Sequence, residues 1–307
     1  MTRLNPTIAA LASSLAPDLR RAADDARTLG FDGLTLEPSR LDESARSRSG
    51  QRELAHIVAS RGLKLAAIKH ALPPRSLLDS SLADRALGET LRTIELAAGL
   101  RAGVLALDVG SLPDVADQPR EPAQPSSLDA GLLILPSREE TERYGNAAPR
   151  SSRRSPSPGN MQLVAGFVDE LSRCADRFGV KVALGSSLAR LDSLQQALNG
   201  ISLPLVGLDL DPSALLSDAW TPDDAFERFD GRVLHVRGRD ALLGQGGRSR
   251  PAIIGDGDVN WGNVIATLHD ADCRATITID PAELTDPRQG AIVGLKHLRS
   301  LLDRAGA

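Results

Sequence analysis

The stretch GRVLHVRGRD, residues 231–240, has the alternation of a β-strand but carries ionisable side chains on one of its two faces. Leu234 and Val236 alternate with His235 and Arg237, and successive side chains of a strand point to opposite faces. An imidazole and a guanidinium are costly to bury without partners. The stretch therefore predicts a strand whose polar face meets other polar groups in the folded protein.

Seven other short runs along the chain resemble this strand in their apolar composition. Such runs, bounded by polar segments, are typical of strands that are buried on both faces. Longer amphipathic stretches lie between several of them and predict helices at 17–30, 50–62, 82–99 and 161–179. The eight predicted strands are TIAAL (7–11), GLTLE (33–37), LKLAAIK (63–69), VLALD (104–108), VKVAL (180–184), PLVGLDLD (204–211), RVLHVR (232–237) and ATITID (275–280).

The alternation of strands and helices predicts the fold. The chain has 307 residues, of which 41% are hydrophobic, so it can bury a core of barrel size. Eight strand–helix repeats over about 250 residues, the usual size of the fold, predict a single (β/α)8 TIM barrel spanning residues 1–307. A doubly wound open sheet is the structural alternative.

Residues 113–158 do not fit the alternation of strands and helices. They hold eight of the 19 prolines, one aromatic residue (Tyr144) and the run APRSSRRSPSPG, so they can bury little apolar surface. We expect a long, partly disordered insertion after the fourth strand, in which GLLILP (131–136) is a candidate for docking on the barrel. The insertion follows the carboxyl end of a strand, where barrel enzymes build their active sites, so it is a candidate for a lid or an oligomer contact. A solvated linker is the alternative.

Composition narrows the classes of partner. The 36 basic and 40 acidic residues give a formal net charge of −4, which offers no general attraction to nucleic acid or to an anionic membrane and favours a small ligand.

No run approaches the ~18 apolar residues of a transmembrane helix. The opening residues 1–17 resemble a weak signal peptide, but Pro6 interrupts them, and we prefer a first strand. Cys174 and Cys273 are far apart in sequence, which favours reduced thiols and a cytoplasmic location.

Polar side chains recur at the carboxyl ends of the predicted strands. They stand at alternate positions with aliphatic residues between them, so they share one face of the sheet. In a TIM barrel this face is the lumen, whose carboxyl end is the usual functional site. An internal cluster of ion pairs that only stabilises the barrel is the alternative. The residues are Thr35, Glu37, Asp108, Asp209, Asp211, His235, Arg237, Thr278 and Asp280.

One further motif carries a family resemblance. GDGDVNWGNVIATL, residues 255–268, resembles the G-x-G-x-V-x-W segment of the xylose isomerase-like barrel superfamily of sugar and sugar-phosphate isomerases and epimerases. GFDGLTLE (30–37), PLVGLDLDP (204–212) and RVLHVRGRD (232–240) are similar to other signatures of that superfamily. The resemblance covers nearly the whole chain apart from the insertion, and it implies a barrel that acts on a sugar.

The resemblance also implies a divalent metal at the barrel mouth. The metal would be held by a Glu ending the fifth strand, an Asp ending the sixth, a His on the seventh and a Glu ending the eighth, with the two glutamates moving a proton on and off carbon. Here Asp211 matches the sixth-strand acid, and Asp280 is a shortened eighth-strand acid. Gly185 stands where the first Glu belongs, Arg237 stands where the His belongs, and residues 213–214 lack the histidine often found at that helix start.

These departures predict that no divalent metal or other cofactor is bound. A guanidinium stays charged and repels a cation placed beside it, and two carboxylates do not form a tight all-protein metal site. We therefore expect Arg237 to occupy the metal's space and to supply positive charge to Asp211 and Asp280.

Candidate roles follow for the polar residues of the mouth. Lys69 and His70 are adjacent on the third strand, so only one of them can face the lumen, and the resemblance favours His70. Asp240 and Arg239, after the seventh strand, are candidates for the site, and an ion pair that stabilises a loop is the structural alternative for them. The predicted catalytic residues are Glu37, His70, Asp211 and Asp280, and the predicted substrate-binding residues are Asp108, His235, Arg237, Asp240 and Trp261.

Two classes of function remain. The first is an isomerase or epimerase of the sugar or sugar-phosphate type that works without the usual metal or with a relocated one, and retention of acids at lumen positions favours it. The second is a catalytically silent barrel that binds a sugar-like metabolite or a partner protein, and loss of the fifth-strand Glu favours that one. An endonuclease, from the nucleic-acid branch of the same superfamily, is least favoured because its histidine-rich metal cluster and basic surface are missing.

Overall fold

The computed structural model describes residues 6–113, 158–188, 190–199, 204–229, 231–244 and 249–305. The predicted insertion, including its proposed disorder and the docking of 131–136, lies almost entirely outside these residues. What the structure gives here is the position: strand β4 ends at Asp108, and the next described helix begins at Pro158.

Ten strands are described, and eight of them coincide with the eight predicted runs. The first of these runs is a strand, as expected for the opening segment. The strands are β1 (Ile8–Leu11), β2 (Gly33–Leu36), β3 (Lys64–Ala71), β4 (Val104–Asp108), β5 (Val182–Gly185), β6 (Val206–Leu210), β7 (Val233–Gly238), β8 (Asp240–Leu243), β9 (Ser249–Ala252) and β10 (Thr276–Ile279).

Helices separate the strands, and those predicted from amphipathic patterning are present within a few residues of their expected bounds. None of the described helices is long and apolar enough to cross a membrane. A 3₁₀ turn at Pro38–Arg40 follows β2. The helices are α1 (Ala12–Leu15), α2 (Leu19–Leu29), α3 (Glu43–Arg46), α4 (Arg48–Ala59), α5 (Ser80–Leu100), α6 (Pro158–Phe178), α7 (Leu191–Leu198), α8 (Pro212–Asp218), α9 (Pro222–Arg228), α10 (Trp261–Asp270) and α11 (Pro287–Ala305).

Eight of the strands close into a barrel in the order β1-β10-β7-β6-β5-β4-β3-β2, and every pair among them is parallel. The predicted TIM barrel is therefore confirmed, and the open doubly wound sheet is excluded. The two remaining strands, β8 and β9, form an antiparallel hairpin directly after β7. This hairpin stands at the carboxyl end of the barrel, because it continues from the end of β7.

Local signals explain how the helices pack. In α2, Ala22, Ala23 and Ala26 are fully buried, so the small face of the helix lies against the sheet. Asp18 caps the helix by accepting a hydrogen bond from the backbone N–H of Arg21. Gly30, with a φ of +91°, ends the helix in the left-handed conformation that glycine adopts without strain. The chain can then turn directly into β2.

Inside the barrel, the amino-terminal half of the lumen is filled by small apolar side chains. Ala67, Val104 and Ala183 form this cluster, and Leu234 packs against it. The expectation that Leu234 and Val236 share one face of the strand, opposite His235 and Arg237, is thus wrong. The pairing of β6 with β7 shifts register at Leu208/Asp209, and this irregularity breaks the strict alternation at the start of β7.

Close strand packing at Gly33 gives a test of the barrel. A Cβ atom added at Gly33 would lie 2.6 Å from the Lys64 carbonyl oxygen and 3.1 Å from the Ala66 Cβ. We expect Gly33→Ala to lower the free energy of unfolding by roughly 1–3 kcal/mol, because backbone has to move. Gly166→Ala, on an exposed face of α6 with nothing within 4 Å of the new Cβ, should raise it by about 0.5–1 kcal/mol. Urea denaturation of both variants checks this, and equal stabilities would contradict the close packing.

Candidate functional site at the barrel mouth

Arg237 occupies the centre of the lumen near the carboxyl ends of the strands. Its Nε donates to Asp209 Oδ2 at 2.5 Å, and its Nη1 donates to Asp108 Oδ2 at 2.8 Å. The Arg237 residue is 6% exposed and Asp209 is 1% exposed. The guanidinium therefore ties β7 to β6 and to β4 through charge-assisted hydrogen bonds that are largely shielded from water.

A chain of side-chain hydrogen bonds continues from Asp209 across the barrel. His235 Nδ1 lies 2.6 Å from Asp209 Oδ1, and His235 Nε2 lies 2.7 Å from Thr278 Oγ1. Thr278 in turn lies 2.7 Å from the hydroxyl of Thr35 on β2. We call this set the lumen network; its members are Thr35, Asp108, Asp209, His235, Arg237 and Thr278.

Electrostatics keep the charged members of this network ionised. Burial by itself would raise the pKa of Asp209, but the charges of Arg237 and His235 and their hydrogen bonds outweigh it and lower the pKa to about 2. Burial also opposes ionisation of Asp108, and Arg237 again dominates and lowers its pKa. The pKa of Arg237 is raised, because Asp209 and Asp108 overcome its desolvation. Since the Asp209 carboxylate can only accept, His235 Nδ1 donates the hydrogen bond that joins the two side chains.

The remaining acids of the mouth have cations of their own. Lys69 Nζ lies 2.6 Å from Asp280 Oδ2, and the Asp280 side chain is 5% exposed. Arg239 Nη2 donates to Asp211 Oδ2 at 2.6 Å, while its Nη1 reaches Glu283 at 3.0 Å. Asp211 also caps α8 through the backbone N–H of Ser213. These two acids are therefore held by Lys69 and Arg239 rather than by Arg237.

Glu37 lies at the end of β2 on the same face as Thr35. Its Oε2 accepts a hydrogen bond of 2.5 Å from Ser13 and forms a 2.9 Å ion pair with Arg40. The Glu37 side chain is 18% exposed, the most accessible of the predicted mouth carboxylates described so far. Glu37 and Lys69 line one groove of about 820 Å³, which runs over the end of β3. A ligand in this groove would meet both side chains.

Two predictions about orientation are corrected by these contacts. Arg237 was expected to pair with Asp211 and Asp280 but pairs with Asp108 and Asp209 instead, while Arg239 and Lys69 bind the other two acids. The strand β3 turns Lys69, not the predicted His70, toward the lumen and Asp280. The alternation of side chains along a strand then directs His70 to the helix side.

His70 lines the outer part of the same groove, with Glu89 and Arg92 of α5. Its Nε2 is buried and has no hydrogen-bond partner in the part of the chain that the structure describes. Burial lowers the pKa of His70, although Glu89 acts in the opposite direction, so the imidazole is neutral at pH 7. His70 is therefore a neutral group beside the mouth and does not belong to the lumen network.

Asp240 and Trp261 are engaged in holding a loop. The Asp240 carboxylate accepts hydrogen bonds from the backbone N–H groups of Ala241, Gly255 and Val259 and from Trp261 Nε1. Asp240 is 3% exposed and Trp261 is 2% exposed. These contacts hold the connection between the β8–β9 hairpin and α10, and the substrate-binding roles of both residues stay predictions.

Sequence reasoning missed three side chains of the mouth. Lys69 was set aside in favour of His70, Arg239 was considered only as a loop ion pair, and Ser13 was not considered. A signal existed for two of them. Arg239 stands two residues after Arg237, and Lys69 stands two residues after Ala67. Residues two apart on a strand point to the same face, so each continues the face that turns to the lumen.

The closed parallel barrel and the polar side chains at its carboxyl end define a TIM barrel with a candidate site at its mouth, and comparison with known families identifies the family. Residues 23–301 match the family model described as xylose isomerase-like TIM barrel, so the chain belongs to this family. A search of curated proteins found no match.

Several solved structures share the fold at low sequence identity. A xylose isomerase domain protein from Planctomyces limnophilus is 15% identical with a TM-score of 0.71, and the alignment covers 99% of each chain. A D-tagatose 3-epimerase-like protein is 14% identical with a TM-score of 0.67, covering 98% of this chain and 100% of its own. A xylose isomerase-like TIM barrel protein from Mycobacterium smegmatis, in complex with magnesium, is 16% identical with a TM-score of 0.65 and 98% coverage of both chains.

The side chains of this mouth do not fit the divalent metal that the family resemblance implies. Gly185 offers no ligand, and Arg237 can only donate. One oxygen of Asp211 is taken by Arg239, and one oxygen of Asp280 is taken by Lys69. Among the described residues, no three His, Cys, Asp or Glu side chains are arranged to hold a metal ion.

Truncating the central cation should be costly. We expect Arg237→Ala to lower the free energy of unfolding by roughly 3–5 kcal/mol, because Asp108 and Asp209 are left buried without compensation. Arg85→Ala removes an exposed ion pair with Glu89 on α5 and should cost less than about 1 kcal/mol. Urea denaturation compares the two, and a small loss for Arg237→Ala would show that the lumen network is not buried as described.

Acid should weaken the lumen network. The pKa of Asp209 in the fold, about 2, lies below its ordinary 3.8, so its contribution to stability is complete above about pH 4 and is lost as the pH falls toward 2. We expect the free energy of unfolding to drop less between pH 4 and pH 2 in Asp209→Asn than in the wild type. Asp303→Asn, on the exposed side of α11, is the control and should follow the wild type. Parallel pH profiles for Asp209→Asn and the wild type would contradict the assignment.

Proposed function

We propose that this protein is a sugar or sugar-phosphate isomerase or epimerase that works with its own side chains and without a divalent metal. The observation that carries the proposal is the groove shared by Glu37 and Lys69, with Asp280 bonded to Lys69. It brings a carboxylate and an ammonium from adjacent strands to one ligand-sized space at the usual functional end of a TIM barrel.

These groups match the proton transfers of the reaction. Glu37 accepts the proton from the carbon next to the sugar carbonyl, and the electron pair of that C–H bond forms a C=C bond. Lys69 donates a proton to the carbonyl oxygen, which completes an enediol, and Asp280 stabilises the ammonium before this transfer. When a proton returns to the former carbonyl carbon and the hydroxyl of the neighbouring carbon gives up its proton, the product is the isomer. When a proton returns instead to the opposite face of the carbon that lost it, and neutral Lys69 takes back the proton from the former carbonyl oxygen, the product is the epimer.

The family supports a sugar as the substrate class, since one structural relative is a D-tagatose 3-epimerase-like protein. The free thiols of Cys174 and Cys273 support the proposed cytoplasmic location. The proposed partner is a small sugar-like molecule, with no role for nucleic acid or membrane, and the oligomeric state is left open.

A catalytically silent barrel that binds a sugar-like metabolite or a partner protein is the second candidate. The observation in its favour is that Asp108, Asp209, Asp211 and Asp280 each have a fixed cation as partner. Carboxylates held in this way stabilise a barrel whether or not any of them exchanges a proton with a substrate.

Solvent exchange separates the two candidates. The chelator-treated protein is incubated in D2O with D-tagatose, D-psicose, D-fructose and D-fructose 6-phosphate, and deuterium on carbon is followed by NMR. We expect incorporation next to the carbonyl of at least one sugar, reduced at least about 100-fold in Glu37→Gln and Lys69→Met, because each removes a proton-transfer group. Lys296→Met, exposed on α11, is the control and should retain the wild-type rate.

The outcomes are distinct. Binding of a sugar, measured by calorimetry, without any exchange would favour the silent barrel. Exchange that depends on added metal would contradict the metal-free mechanism, and exchange that survives both variants would contradict the assigned residues.

A further inference from the structure

The groove that Glu37 and Lys69 share continues past the barrel mouth. Lys69 faces the lumen and His70 faces the helix side, yet both side chains line this one groove. The groove therefore passes over the end of β3 from the lumen toward α5. We call its part beyond β3 the outer groove; the residues that define it are Glu43, Arg46, His70, Glu89, Arg92 and Glu95.

The size of the groove exceeds what one monosaccharide needs. Its volume is about 820 Å³, and pockets of about 300–1,000 Å³ hold ligands of drug size. A single sugar ring placed between Glu37 and Lys69 would occupy the mouth end and leave the outer groove unfilled. A ligand that matches the whole groove therefore has a second part that extends over the end of β3.

Three side chains of the outer groove have polar groups that no protein partner uses. Among the residues that the structure describes, His70 makes no hydrogen bond, and neither Arg92 nor Glu95 makes a hydrogen bond or an ion pair. Arg92 and Glu95 are exposed on one side of α5. His70 Nε2 is buried, so Nδ1 is the ring nitrogen that a ligand in the groove can reach. The outer groove thus offers a guanidinium, a carboxylate and a neutral imidazole to a ligand.

We propose that the outer groove binds the second ring of a disaccharide whose reducing sugar lies between Glu37 and Lys69. This inference rests on the proposed function and names the substrate class of the same site. Arg92 donates to hydroxyl oxygens of the second ring, and His70 forms a hydrogen bond with a hydroxyl group through Nδ1. Glu95 accepts a hydrogen bond from another hydroxyl group of that ring.

The charges of the outer groove favour a neutral ring over a charged group. Its acids outnumber its cations among the described residues that line it. A phosphate or carboxylate bound near Arg92 would also lie near these acids, which repel it. A sugar hydroxyl group both donates and accepts, so a second sugar ring suits carboxylates and guanidinium groups alike. The acids are Glu43, Glu89 and Glu95, and the cations are Arg46 and Arg92.

The first experiment compares sugars on the wild-type protein. Calorimetry measures the dissociation constants of D-fructose, of D-fructose 6-phosphate and of four disaccharides with a reducing fructose unit: turanose, maltulose, isomaltulose and lactulose. We expect at least one disaccharide to bind roughly tenfold or more tightly than D-fructose, because the second ring adds hydrogen bonds. Equal or weaker binding of all four disaccharides, or tighter binding of the phosphate ester than of any disaccharide, would overturn the inference.

The second experiment assigns the gain in affinity to the outer groove. The dissociation constant of D-fructose is divided by that of the tightest disaccharide. We expect this ratio to fall roughly fivefold or more in Arg92→Ala and in His70→Phe, because each variant removes a hydrogen bond to the second ring. Arg27→Ala, exposed on α2 and outside the groove, is the matched control and should keep the wild-type ratio.

The ratio separates binding from folding. A variant that only loosens the barrel weakens both sugars and leaves the ratio in place, so an unchanged ratio in both groove variants would contradict the inference. A readout in the wild type covers a variant that does not fold: the disaccharide should shift the NMR signals of the His70 imidazole more than D-fructose does. Binding of the disaccharide without this larger shift would also overturn the inference.

The inference and the proposed function can fail separately. Exchange of deuterium into a monosaccharide, with no gain in affinity from a second ring, would contradict the inference and leave the proposed function intact. Absence of binding by every sugar tested would contradict both.

Discussion

The position of one buried guanidinium constrains the upper half of this barrel. Arg237 bonds Asp209 and Asp108, and both carboxylates stay ionised because the guanidinium outweighs their desolvation. Removing any one of the three would leave a buried charge without its partner. The strands β4, β6 and β7 are therefore held in one arrangement by charge as well as by their backbone ladders. His235 extends the same constraint to β10, since it bridges Asp209 and Thr278.

The rest of the lumen is arranged around this constraint. Small side chains fill the space below the network, where Ala67, Val104 and Ala183 form an apolar cluster. Gly185 leaves the guanidinium room above it. Charges that are not part of the network form separate pairs closer to solvent, so that Lys69 neutralises Asp280 and Arg239 neutralises Asp211. The mouth thus combines a rigid polar floor with more accessible groups at its rim.

This division separates residues that stabilise the site from residues that a ligand can reach. Asp240 is saturated by four protein donors and fixes the segment that leads into α10. Glu37 and Lys69, in contrast, line a groove of about 820 Å³ and keep part of their side chains exposed. Buried polar groups with all their bonds satisfied rigidify a structure, whereas partly exposed ones can exchange protein partners for a ligand. The proposed function rests on the second set.

The sequence by itself determined the barrel, because eight apolar runs alternating with amphipathic helices have one economical arrangement, and every run became a barrel strand. It also indicated the lumen face, since side-chain alternation is local. Only the tertiary structure decided which charges pair: the Arg237 guanidinium reaches Asp209 and Asp108 across the lumen, whereas Asp211 is bound by Arg239. The tertiary structure also decided that Lys69, not His70, faces the lumen. Adjacent residues of a strand face opposite sides, and the pairing of β3 with its neighbours determines which of the two faces inward. Pairing across a barrel depends on stagger between distant strands, and no local pattern along the chain records that stagger.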